Sequence, residues 1–209
     1  MVYAYTVMLN HFLAIASHPA RARASFLGAV LLVGLLSAAP SHGLTVVPRS
    51  FDELVQLADT VIVGTVHDMH SEFADNGLSQ NILSFVSFDE LQNIKGRINT
   101  QQYTLQVPGG VVGRVAQDYP GIPLFQVGQR YVVFIRGNRR DFFPVVGVTQ
   151  GVYRVLTDGQ GRQVVVRDDV ANRAVLNRAL STVTHTAPTL DSFVQDIRDR
   201  LSATGGNSP

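Results

Sequence analysis

The stretch Tyr131–Ile135 limits what this chain can fold into more than any other. Its five side chains (Tyr-Val-Val-Phe-Ile) are all apolar or aromatic, and three are β-branched. A strand with one face in water alternates apolar with polar residues; this run does not, so it reads as a central strand buried on both faces. Cover on both sides means a closed barrel or layered sheets. Phe125–Arg130 leads into it through a tight turn at Gly128.

The neighbouring segments supply the other elements. Ser50-Phe51-Asp52-Glu53 is a capping box that opens a short helix to Ala58, with Phe51, Leu54, Val55 and Ala58 on one face. Thr60–Val66 is β-branched at every position except Gly64, where a glycine marks a bend or a close backbone approach. Asn76-Gly77 predicts a hairpin turn into a strand from Gln80 to Asp89. Tyr103–Val107 alternates and is stopped by Pro108-Gly109-Gly110, and Val111–Leu124 reads as one long loop. Phe142–Val148 reads as a return strand continued by Gly151–Leu156, and Asp158–Gly161 turns the chain into Gln163–Arg167. Asp169 caps a modest helix to Leu180, and Thr182–Pro188 is a linker. A final helix starts after Thr189, with Leu190, Phe193, Val194, Ile197 and Leu201 on one face.

The first 43 residues stand apart from this pattern. Arg21 and Arg23 precede an apolar run from Phe26 to Leu36, and small residues follow at Ser41 and Gly43. That order reads as a secretory signal cleaved near Gly43-Leu44, with translation beginning at Met1 or at Met8. The alternative is a retained anchor, but Ala24–Ala39 is 16 residues, short of the ~20 needed to span a bilayer. Without Arg21 and Arg23, 15 of the 17 basic residues remain against 16 acidic ones, a net charge of −1. Such a balance speaks against nucleic acid or an acidic membrane as partner. The chain has no cysteine, so an exported domain must hold together without disulfides.

Residues that carry chemistry are sparse. The sequence has no cysteine nucleophile, no Gly-x-Ser-x-Gly elbow, no His-Glu-x-x-His pair and no phosphate loop. Gly109–Gly113 superficially matches a dinucleotide fingerprint, but the spacing is wrong and no helix follows; glycines in a mobile loop are the simpler reading. His67 and His70 lie three residues apart on a strand and so face opposite sides. The candidate binding residues are Pro108, Gly109, Gly110 and Gly113 in the loop, and Arg136, Arg139 and Arg140 as an anion patch after the central strand. Asp158, Asp168 and Asp169 read as turn and cap residues. No cofactor is expected.

The ordered set of short motifs resembles a group of exported bacterial proteins of unassigned function. It comprises Leu57-Ala58-Asp59 before Val61-x-Val63-Gly64-x-Val66, then Lys95-Gly96, Val107-Pro108-Gly109-Gly110-x-x-Gly113, Phe125-x-Val127-Gly128-x-x-Tyr131 and Gln150-Gly151-x-Tyr153-Arg154-Val155. The arrangement is also similar to the netrin and metalloproteinase-inhibitor type of OB barrel, which implies five main strands closed into a small barrel. In those inhibitors an amino-terminal cysteine chelates the protease zinc; this chain has none, so that route does not carry over.

The expected organisation is therefore a signal segment over 1–43 and a mainly β, closed OB-like barrel over 44–168 with a short N-terminal helix. A helical C-terminal extension packed on the barrel occupies 169–203, with a disordered tail over 204–209. The expected function is an exported, non-enzymatic binding module whose partner is another exported or cell-surface protein. The alternatives are a metal-dependent hydrolase assembled from His67, His70, Glu72 and Asp89, or a protease regulator that inserts a loop.

Overall fold

The computed structural model describes residues 47–75, 80–119, 121–168 and 186–205, all within the unit Leu44–Pro209. The expected signal segment, the Asn76-Gly77 turn, the helix from Asp169, most of the linker and the last four residues lie outside them.

Helix α1 (Phe51–Leu57) begins with the capping box read from the sequence. The Ser50 hydroxyl accepts from the Glu53 amide at 3.2 Å, and the Glu53 carboxylate accepts from the Ser50 amide at 2.8 Å. The bond from the Ser50 amide, helped by one from the Arg49 guanidinium, holds the Glu53 carboxyl below its ordinary range. At the other end Lys95 donates to the carbonyls of Val55 and Gln56 at 2.8 and 3.1 Å, supplying partners that the last turn lacks. Partial burial holds the Lys95 ammonium below the usual lysine value.

Six strands form one antiparallel sheet: β1 (Thr60–Asp75), β2 (Gln80–Lys95), β3 (Tyr103–Pro108), β6 (Arg130–Ile135), β7 (Val152–Thr157) and β8 (Gln163–Arg167). Their order is β3-β2-β1-β6-β7-β8, and a separate small hairpin joins β4 (Gly110–Val112) to β5 (Val115–Gln117). Helix α2 (Leu190–Gly205) follows Thr189, whose hydroxyl accepts from the Ser192 amide at 3.3 Å. Among the described residues no helix is long and apolar enough to cross a membrane.

The expected closed barrel is not formed. The sheet is open, with β3 and β8 at its two edges, because other groups occupy those edges. On β8, Val165 donates its amide to the Pro188 carbonyl at 2.9 Å. On β3, the side chain of Asn138 binds the backbone of Thr104 and Gln106. Burial of both faces is instead achieved by layering. Val61, Val63, Val132, Phe134, Tyr153 and Val155 meet α1 and α2 through Leu54, Phe193 and Ile197. Ile62, Val86, Phe88, Leu105, Tyr131 and Val133 form a second cluster, closed by Phe125 from the loop before β6. Val133 and Phe134 are each 0 % exposed and lie in different clusters, as alternation along a strand requires.

Three local expectations also need correction. Val111–Leu124 is not one loop, since it contains the β4–β5 hairpin. Phe142–Val148 is turns rather than a strand, held to β6 by a single bridge between Val145 and Ile135. Strands β1 and β2 are each 16 residues long, well past Val66 and Asp89. Register shifts at Val61/Ile62, Val63/Thr65 and Val66/Asp68 let β1 bend and continue. Its polar second half carries no apolar run for a sequence reading to follow.

Candidate interaction surface

The loop residues singled out in the sequence come together only in part. Pro108, Gly109 and Gly110 line a cavity of about 350 Å³ with His70, Tyr119 and Leu124. Gly110 has φ +134, and a Cβ there would overlap both Ser71 Oγ and Ser84 Oγ. Those hydroxyls are bonded to each other at 2.9 Å, and Ser84 donates to the Gly109 carbonyl at 2.7 Å. The glycine pair therefore lets the chain cross β1 and β2 at close range. Gly113 sits apart, at φ +61 in the hairpin turn with open space around it.

The arginines spread out. Arg136 lines a second cavity of about 360 Å³ with Arg49, Asp141, Phe143 and Val148, whereas Arg139 and Arg140 do not. Arg136 lies 3.9 Å from the Asp141 carboxylate, and Arg140 3.2 Å from that of Asp59. Asp59 also accepts from the Gly137 amide at 2.9 Å, so this turn is tied to the end of α1.

The dispersed acid and imidazole groups do not form one centre. His67 is 3.9 Å from Asp89 and His70 is 3.4 Å from Asp68, with His70 stacked on Phe85 at 5.2 Å. Among the described residues no three His, Asp or Glu side chains gather where a metal ion could be held.

Two features escaped the sequence reading. Asp168, expected in a turn, is 0 % exposed, and its carboxylate accepts from Arg154 Nη2 at 3.2 and 3.3 Å. Asp158 does serve its turn, accepting from the amides of Gln160 and Arg162. These bonds, that from the Arg162 amide foremost, hold its carboxyl below the usual range.

The second feature is an aromatic ridge between the two cavities. Phe142 meets Tyr119 edge-on at 5.2 Å and Phe143 at 4.8 Å, and Tyr119 meets Phe143 at 6.5 Å. Tyr119 lines the first cavity and Phe143 the second. Phe142 and Phe143 remain 47 % and 37 % exposed, with Leu124 and Val111 also exposed near the first cavity. The available sign was two adjacent phenylalanines in a segment otherwise built of turn residues. Beside them Val148 has φ +64, a strained value for a β-branched residue. No family model, curated protein or solved structure matches this chain.

Proposed function

We propose that this chain is an exported interaction module that holds an apolar segment of a partner protein on the surface formed by Tyr119, Phe142 and Phe143. The supporting observation is the aromatic ridge itself. The domain buries two extensive apolar clusters yet leaves two phenylalanines open to solvent between two cavities. Contiguous exposed apolar surface marks interaction sites, and aromatic residues dominate binding energy where they anchor in partner pockets. Edge-to-face packing restrains the three rings in advance, which lowers the ordering cost of association. Export is supported by Arg21, Arg23 and the apolar run Phe26–Leu36 in the sequence.

The test is a photo-crosslinking amino acid placed at position 142 in producing cells, with position 195 on α2 as a remote control. One adduct of defined mass should form at 142, be absent at 195 and disappear when Phe143→Ala is added. Unfolding of Phe143→Ala, measured alongside, must stay near wild type for the loss to count. No adduct at 142, or the same adduct at both positions, sinks the proposal.

A further inference from the structure

The outer edge of β1, which borders the first cavity through Met69, His70 and Ser71, points to a specific second partner. The first half of β1 is paired on both sides: with β2, and with β6 over Thr60–Thr65. Val66 then bonds to Gly128 and Gln129. Beyond it, from Asp68 to Asp75, β1 is laddered to β2 alone, and among the described residues no backbone group pairs with its other side. A strand edge of this kind carries unmatched amide and carbonyl groups and is a template for another strand.

The side chains along this edge fit a second copy of the same edge. A two-fold axis perpendicular to the sheet keeps each face on its own side, so paired residues must share parity. Three such registers bring the middle of the segment together. Centring the axis on His70 sets Asp68 against Glu72, and centring it on Glu72 sets that carboxylate against itself; like charges directly opposite are destabilising. Centring it on Ser71 sets His70 against Glu72 twice, Met69 against Phe73 twice and Asp68 against Ala74. His70 Nδ1 already faces the Asp68 carboxylate at 3.4 Å, so it is the imidazolium form, with both ring nitrogens donating, that can also bind Glu72 of the second copy. His70, Glu72 and Phe73 are exposed, so their side chains are accessible to such a partner.

We infer that two copies of this chain pair antiparallel through the β1 edge from Asp68 to Ala74, with the two-fold axis at Ser71. The contact is short and rests on backbone hydrogen bonds plus two imidazole–carboxylate pairs, so it is a reversible dimer of about micromolar dissociation constant. It adjoins the first cavity through His70 but uses none of Tyr119, Phe142 and Phe143.

Sedimentation equilibrium of the full chain tests it. His70→Glu and Glu72→His each place like groups opposite one another twice. Each should weaken the dimer about ten-fold, and the double exchange should return it to within about two-fold of wild type. Because the chain has no cysteine, register can be read directly. Mixing His70→Cys with Glu72→Cys should give a mixed disulfide under mild oxidation that neither protein forms alone. A chain that stays monomeric to about 500 µM overturns the inference. So does a dimer insensitive to both exchanges, as association through the Phe26–Leu36 run would be, or a disulfide joining position 70 to itself.

Discussion

The side chain of Asn138 stands against Gln106 as a neighbouring strand would. Its carbonyl oxygen accepts from the Gln106 amide at 3.0 Å, while its amide nitrogen donates to the Thr104 carbonyl at 2.8 Å and the Tyr103 hydroxyl at 3.0 Å. One side chain from the turn after β6 thus caps the outer edge of β3, which a closing strand would otherwise have to satisfy. Asn138→Ala should cost about 1–3 kcal/mol, since it leaves partly buried backbone groups unpaired. Asn138→Asp keeps the acceptor but points a carboxylate at the Thr104 carbonyl, so it should be no better. Urea unfolding of both variants decides the matter; a shift below about 0.5 kcal/mol in either would mean water replaces the amide freely.

Gly110 and Gly113 separate close approach from simple turn geometry. Both have positive φ, but only Gly110 has neighbours where a Cβ would go. Gly113→Ala should cost about 1–2 kcal/mol from backbone strain alone. Gly110→Ala should cost clearly more, because the bonded Ser71 and Ser84 hydroxyls must also give way. Equal shifts in unfolding midpoint would show that the hairpin does not press on β1 and β2.

What the sequence disclosed follows from the range of the interactions involved. The Ser50 capping box, the Asp158 turn and the apolar face of α2 depend on residues within a few positions of one another, and they form as read. The Tyr131–Ile135 run required cover on both faces, and both faces are covered. It carried no information on whether closure or separate layers would provide that cover. That choice depends on Asn138 reaching β3 and Pro188 reaching β8, contacts with no local signature. Asp168 was misread for the same reason: its partner, Arg154, lies on the adjacent strand. Of the candidate surface, the end of β3 at Pro108 was legible, whereas the aromatic ridge joins Tyr119 to residues more than twenty positions later.

The Arg154–Asp168 pair should behave as a buried charge pair rather than a surface one. Asp168→Asn leaves the Arg154 guanidinium without its counter-charge where only 13 % of that side chain reaches solvent. A loss of about 3–5 kcal/mol is expected. Replacing both, as Arg154→Met with Asp168→Leu, should recover most of it, because the desolvation cost of both charges disappears. A double variant as unstable as Asp168→Asn would show that the carboxylate's other contacts, not the ion pair, set its contribution.

Tyr103 gives the fold an alkaline limit. Burial raises its phenol above the ordinary value of 10.0, and the hydrogen bond from Asn138 offsets part of that shift. The folded state therefore holds this proton more tightly than the unfolded state does. Its contribution is fully present below pH 10.0 and is lost as pH rises through the higher folded-state value. Wild type should lose more stability than Tyr103→Phe between about pH 9 and about pH 11. Parallel losses in the two proteins would mean that other groups govern the alkaline transition.

Val133 and Phe134 test the layered architecture most directly. Adjacent on β6, they point to opposite sides of the sheet and enter separate clusters, each with no exposed surface. Phe134 packs edge-on against Phe51 of α1 at 6.0 Å and tilted against Tyr153 at 5.8 Å. Its truncation to alanine should cost about 3–5 kcal/mol, and Val133→Ala about 1–3 kcal/mol. Because the cavities would open in clusters separated by the sheet, the two losses should add to within about 0.5 kcal/mol. A domain of about 5–15 kcal/mol total stability then survives either change but sits at its limit with both. Urea unfolding of the two single variants and the double measures the coupling. A coupling above about 1 kcal/mol would mean that the two faces relax together as a single core, and that the sheet does not partition them.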